Sequence, residues 1–180
     1  MRYAVGSIAL QRLVHVKMLS ETAVSVGFEE SKVKLLPLVE QLANDEEYMV
    51  RQHLAIQLAP LAELFASEEG GEEGYEIVIR SLLPVLARLV GDVACADVRD
   101  AAGESLVRVA ALLKKPDLGL HVLTIVLQMA HDDVHYERRM AAAVLLNMLS
   151  KPELLGIDLC HQFVIPEIIA LSEDPIFRVR

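Results

Sequence analysis

Aromatic side chains are scarce in this chain. Four Phe, four Tyr and no Trp make up 4% of a sequence that is 53% hydrophobic. Sheet sandwiches lean on aromatic and β-branched residues, so small and aliphatic side chains in this proportion point to close-packed helices. Cysteine is nearly missing too. Cys95 and Cys160 lie far apart, on or near predicted helices, which excludes a disulfide scaffold and reads as reduced thiols of a cytoplasmic or nuclear protein. No long uncharged run exists: the longest holds 14 residues, between Asp117 and Asp132, too few to span a bilayer. The mean hydropathy of +0.37 therefore reflects buried helix contacts and no membrane partner is expected. The opening MRYAVGSIALQR is cut short by Gln11 and Arg12 and offers no cleavage site, a poor signal peptide. Basic runs are also absent. Seventeen Lys and Arg are dispersed through a chain of formal charge −9, which argues against nucleic acid as the ligand.

The chemistry of common enzymes is missing as well. The glycines from Gly70 to Gly74 have neither the lysine nor the preceding strand of a phosphate loop. No Gly-x-Ser-x-Gly elbow occurs, and neither cysteine has a histidine partner by local motif. His131 and His135 are four apart, a spacing that lets two histidines share a metal on one helical face, but the pair straddles a predicted turn. His15, His53, His121 and His161 are isolated. No catalytic residue, metal site or cofactor is expected, and the chain reads as non-catalytic.

What is present is a repeat. From Leu35 to Phe65, apolar residues recur at helical spacing in two blocks, Leu35, Leu38, Val39, Leu42 and then Val50, Leu54, Leu58, Leu61. Asn44, Asp45, Glu46 and Glu47 interrupt them and place N-capping residues before the second helix. Pro37, Asp45 and Arg51 are the landmarks. They return as Pro84, Asp92 and Arg99, as Ile125, Asp133 and Arg139 with the proline replaced, and as Pro166, Asp174 and Arg180. Upstream, Arg12 fits the series, with Gly6 where an aspartate is due. A period near 40 with two helices per unit predicts an all-α fold, a HEAT-type superhelical solenoid of four to five repeats.

Taken in order, the repeats fall at about 1–28, 29–66, 75–115, 116–151 and 159–180, in one domain over 1–180. Gly27 is placed to stop the helix over residues 12–26. Residues 67–74, SEEGGEEG, cannot bury a face and read as a solvated acidic insertion between repeats. The last repeat breaks off at Phe177-Arg178-Val179-Arg180, leaving Ile168, Ile169 and Leu171 without a partner helix. That ending predicts either a fragment of a longer array or an oligomer formed through uncapped ends.

The recurring acidic and basic residues divide into two roles. Arg51, Arg99, Arg139 and Arg180 each stand at nearly constant distance from an aspartate, which predicts an internal ladder between repeats. The residues in and just after the turns form the candidate protein-binding ridge: Asp45, Glu46, Glu47, Tyr48, Asp92, Val93, Asp132, Asp133, His135, Tyr136, Glu173, Asp174 and Phe177.

The segments KLLPLVEQLANDEEYMVR, SLLPVLARLVGDVACADVR and FVIPEIIALSEDPIFRVR resemble the HEAT-repeat scaffold and regulatory subunits of phosphatase 2A-class serine/threonine phosphatases, those of phosphatase 4 among them. The resemblance covers about residues 11–180. It implies a right-handed superhelix whose intra-repeat turns grip a phosphatase catalytic subunit, here through Asp45 to Tyr48, Asp92 to Ala94, Asp132 to Tyr136 and Glu173 to Phe177. The shorter array, Ile125 in place of proline and the acidic insertion depart from that pattern. Two other classes fit the composition: a transport or cytoskeletal adaptor of HEAT or armadillo type, and a helical-repeat glycosylase, which the charge of −9 opposes. Far-UV circular dichroism should give the double minimum of helix; a single β-sheet minimum would overturn the architecture.

Overall fold

The computed structural model describes residues 8–180. Among them every regular element is helical and there is no strand. The described residues open with α1 (Ala9–Lys17) and α2 (Leu19–Lys34), the latter bent at Gly27, whose φ of +79° only glycine takes without strain. The helix resumes beyond that glycine. Then come α3 (Leu36–Leu42), α4 (Tyr48–Phe65), α5 (Gly71–Ile77), α6 (Leu83–Val90), α7 (Ala96–Ala110), α8 (Lys115–Asp117), α9 (Thr124–Ala130), α10 (Tyr136–Leu149), α11 (Gly156–Leu159) and α12 (Ile165–Ser172). Gly6, expected in the place of the first aspartate, lies outside the described residues.

The helices form pairs. Each long helix packs on the shorter one before it, α4 on α3, α7 on α6, α10 on α9. The long helices also pack on one another in the order α1, α4, α7, α10. One continuous apolar core runs between them, with Leu54, Leu58, Phe65, Leu86, Leu89, Leu106, Leu146 and Leu149 shut off from solvent. Hydroxyls help at the seams: Ser105 Oγ donates to the Ala55 carbonyl at 2.6 Å, tying α7 to α4.

A widened π turn recurs inside each later first helix, at Val78–Leu82, Leu118–Leu123 and Cys160–Val164. Pro84 and Pro166 follow two of these turns. A proline removes one helical N–H and presses on the carbonyl four residues back, which a five-residue turn relieves. The middle turn keeps the same shape with Thr124 in the proline's place, its hydroxyl bonded to the Gly119 carbonyl at 3.2 Å. The sequence expectation of Ile125 there is thus displaced by one residue.

Residues 67–74 are solvated, with Glu68, Glu69, Glu72 and Glu73 exposed, but they are built into the helices and not inserted between them. A tight turn at Ser67–Gly70 leads directly into α5. Its glutamates bridge neighbouring units: Glu69 accepts from the Phe28 N–H at 3.2 Å, Glu73 pairs with Lys32 at 2.9 Å and Glu72 with Lys114 at 3.2 Å. The glycines are there for close approach, since a Cβ at Gly70 or Gly74 would lie 2.0 or 1.9 Å from the Phe65 carbonyl oxygen. The longer spacing of this unit is taken up within helices, α4 having 18 residues against 15 in α7. At the far end, Leu171 is buried after all, whereas Ile168 and Ile169 are exposed.

Denaturation in urea should rank three variants. Leu86→Ala, at a fully buried site, costs about 2–5 kcal/mol. Gly74→Ala forces a backbone shift and costs about 3 kcal/mol or more. Gly71→Ala, with open space at a φ of +55°, costs only about 1–2 kcal/mol.

Candidate protein-binding edge

Four turns carry the candidate residues, and they share one construction. Each begins with an aspartate whose Oδ1 accepts backbone N–H groups two or three residues on. Asp45 takes the N–H of Glu47 at 3.0 Å, and Asp92 those of Ala94 and Cys95 at 2.9 Å. Asp132 takes those of Val134 and His135 at 2.9 and 2.7 Å, and Asp174 that of Ile176 at 2.7 Å. These are Asx-type turns that aim the chain into the next helix. They act ahead of the N-cap positions, Glu47, Cys95 and His135, whose own side chains make no cap bond. The pattern also moves the third landmark: Asp132, not Asp133, is the equivalent of Asp92.

The other carboxylate oxygen faces a guanidinium. Arg12 Nε and Nη2 clasp Asp45 at 2.6 and 2.9 Å, Arg51 Nε meets Asp92 at 2.7 Å, and Arg139 Nε meets Asp174 at 2.6 Å. Each links one unit to the next. The arginines also close their own turns, Arg51, Arg99 and Arg139 donating from Nη1 to the carbonyls of Asp45, Asp92 and Asp132. Arg99 breaks the series. It makes no ion pair to the third turn, where Asp132 is taken by Arg138 at 2.7 Å. Arg138 also donates from Nε to the Gly91 carbonyl at 3.2 Å, so the junction is bridged by the other route. Arg180 lies near enough to Asp174 to act on its charge.

These contacts set the acidity of the four carboxyls. For Asp45 and Asp92, burial raises the pKa, but the arginine and the backbone N–H groups outweigh it and the net shift is downward. At Asp132 the His135 N–H and Arg138 hold the carboxyl far below its usual range. At Asp174 the Arg139 hydrogen bond is the main cause of the same shift.

The landmark aspartates are therefore consumed internally, and the candidate contacts sort accordingly. Glu46, Glu47, Asp133 and Glu173 are exposed, and so are Tyr48, Met49 and Val93. Phe177 is 73% exposed. His135 and Tyr136 are half-buried instead, Tyr136 accepting weakly from Arg178 at 3.4 Å. The apolar contact of the third turn is Val134, 81% exposed, which lies within the expected span Asp132 to Tyr136, although His135 and Tyr136 are the residues singled out there. Its signal was present: it occupies the same place after Asp132 that Ala94 holds after Asp92. Between turns lie two open depressions. One, of about 370 Å³, is bounded by Asp45, Arg51, Arg88, Asp92 and Val93; the other, of about 320 Å³, by Arg88, Ile125, Met129, Asp132 and Arg138.

The two histidines of the third turn face different partners. His131 Nε2 is 3.1 Å from Glu167, and His135 Nδ1 is 3.4 Å from Asp132 without a hydrogen bond. Among the described residues no three His, Cys, Asp or Glu converge as a metal site. Cys95 and Cys160 are free thiols. No helix among the described residues is long and apolar enough to cross a membrane. No family model matches the chain, and no curated protein is a significant match to it.

Two measurements follow from this geometry. Arg51→Ala leaves the Asp92 carboxylate unpaired and should cost about 3 kcal/mol, whereas Arg108→Ala, removing an exposed pair with Glu63, stays within about 1 kcal/mol. The depressed carboxyl pKa values add stability that is complete above the unfolded-state value of about 3.9 and is lost as pH falls through the folded values. The melting temperature should hold steady from neutral pH to about pH 5 and drop below about pH 4.

Proposed function

We propose that this chain is a HEAT-type solenoid acting as a non-catalytic scaffold, and that it holds the catalytic subunit of a phosphatase 2A-class serine/threonine phosphatase, phosphatase 4 foremost, along the edge formed by its turns. The observation that carries the reading is the division of labour within each turn. The landmark aspartate is spent on the backbone and on arginine, while the following residues, Tyr48 and Met49, Val93, Val134 and Phe177, project apolar surface into solvent. Exposed carboxylates at Glu46, Glu47, Asp133 and Glu173 stand beside them. Apolar anchors flanked by unpaired charge suit a protein partner: the anchors supply affinity and the charges steer the encounter. Repetition adds avidity, because several weak contacts on one rigid support act as one surface. The resemblance of the turn segments to phosphatase regulatory subunits supplies the partner's identity, and a cytoplasmic and nuclear location goes with it.

Immunoprecipitation from cell extract, probed for 2A-class catalytic subunits, is the test. Val134→Asp with Phe177→Ala removes two apolar side chains that take no part in the ion-pair ladder, and leaves the Val134 N–H bond to Asp132 in place. It should lower capture about tenfold or more with helicity unchanged. Glu46→Lys with Glu47→Lys should weaken capture mainly at low salt. Capture at the wild-type level in both variants would sink the edge mechanism, and no phosphatase captured by the wild type would sink the partner assignment.

A further inference from the structure

The swapped contact between α7 and α10 leaves one cation behind. Arg99 is 8% exposed, and among the described residues its guanidinium makes a single hydrogen bond, from Nη1 to the Asp92 carbonyl at 2.7 Å. Its counterparts Arg12, Arg51 and Arg139 each hold a carboxylate of the next unit, at 2.6, 2.7 and 2.6 Å. The carboxylate due to Arg99 is that of Asp132, which Arg138 holds instead. The side chain is largely buried, but Nε and Nη2, without a protein partner, are not shut off from solvent, so a guanidinium with no counter-ion is open to an anion that can reach it.

The place where such an anion would sit is formed. Arg99 lines a crevice of about 60 Å³ between α7 and α10, walled by Gly103, Met140, Val144 and Met148. Gly103 leaves one wall without a side chain, and a Cβ there would come into contact with Leu145 Cδ2 at 3.4 Å. Val144 is exposed at its rim. Asp100 lines it too, a negative charge that disfavours a dianion such as phosphate more than a single carboxylate.

We propose that this crevice binds a carboxylate, delivered by an acidic side chain of a partner polypeptide whose neighbouring aliphatic residue packs on Val144 and Met148. Three internal pairs in the same molecule establish which anion suits an arginine in this position. The guanidinium offers Nε and Nη2, the donors that its counterparts Arg12 and Arg139 both use toward carboxylates. The half-buried thioethers beside it give an adaptable apolar wall for the flanking side chain. The site goes beyond the turn edge and stands whatever protein that edge holds.

The test is an acetate titration of the whole chain, followed through its arginine Nε–H resonances by heteronuclear NMR, with acetamide as the neutral isostere. The Arg99 resonance, identified by its loss in Arg99→Lys, should move saturably at millimolar acetate and stay still with acetamide. Arg108 should only drift. Asp100→Asn should tighten acetate several-fold, and Val144→Asp, a change at an exposed rim position, should weaken it several-fold. An acetylated leucyl-aspartyl amide should bind about tenfold tighter than acetate, as burial of one aliphatic side chain allows. A saturable shift absent at Arg99, or equal to that of Arg108, overturns the site. Equal binding of acetate and the peptide overturns the polypeptide as its source.

Discussion

One carboxylate per turn holds this molecule in register. Its Oδ1 organises the backbone that enters the next helix, and at three of the four turns its Oδ2 takes the guanidinium of the unit before. At Asp92 the two functions meet within three atoms: Ala94 and Cys95 N–H on one side, Arg51 Nε on the other. A buried ion pair by itself is a weak source of stability, because desolvation offsets most of its Coulomb energy. Here the carboxylates also accept backbone N–H groups, and Arg51 and Arg139 also satisfy turn carbonyls, so within these rungs little of the buried charge goes unpaired. The apolar core supplies the bulk of the stability. The rungs decide how far one helix pair is rotated and shifted relative to the next.

The third turn keeps that bonding pattern with a different cation. Arg138, six residues after Asp132, takes the Oδ2 that Arg99 would hold, and it reaches back to the Gly91 carbonyl to restore the link. In the preceding unit the residue six after the aspartate is Val98, buried and unable to do this. One substitution of an aliphatic by a guanidinium thus reroutes the contact and leaves Arg99 facing a crevice. The same junction holds the depression bounded by Arg88 and Arg138, so polar irregularity is concentrated at this junction.

The outer ends of the helices are joined by a second set of contacts of comparable reach. Lys32 to Glu73 and Lys114 to Glu72 span 41 and 42 residues, near the repeat length, and Tyr75 accepts the Lys114 N–H while donating to Asp117 at 2.6 Å. Acidic residues that look solvated in the one-letter code thereby cross-brace neighbouring units. These exposed pairs stabilise little individually. Their regular spacing is what ties the connector to both of its neighbours.

Periodicity alone determined the helical class, the pairing of helices and the existence of the four turns, because apolar residues at a spacing of 3.6 leave few alternatives once strands lack aromatic and alternating residues. It also marked Arg51 and Arg139 as residues spaced for inter-unit contact. Tertiary structure decided the rest. Which of two adjacent aspartates, Asp132 or Asp133, enters the turn depends on which carboxylate reaches two N–H groups at once, a matter of local backbone path that spacing does not carry. Whether Arg99 or Arg138 holds Asp132 is a competition between two cations of the same chemistry, settled by the path of α10 over α7. Residues 67–74 read as a polar insertion because composition records that glutamate and glycine cannot form a core. It does not record that Gly70 and Gly74 press on the Phe65 carbonyl or that the glutamates find Lys32 and Lys114 across the unit boundary. Local pattern names the elements; only the packed neighbours decide which polar atoms are used up and which are left for a partner.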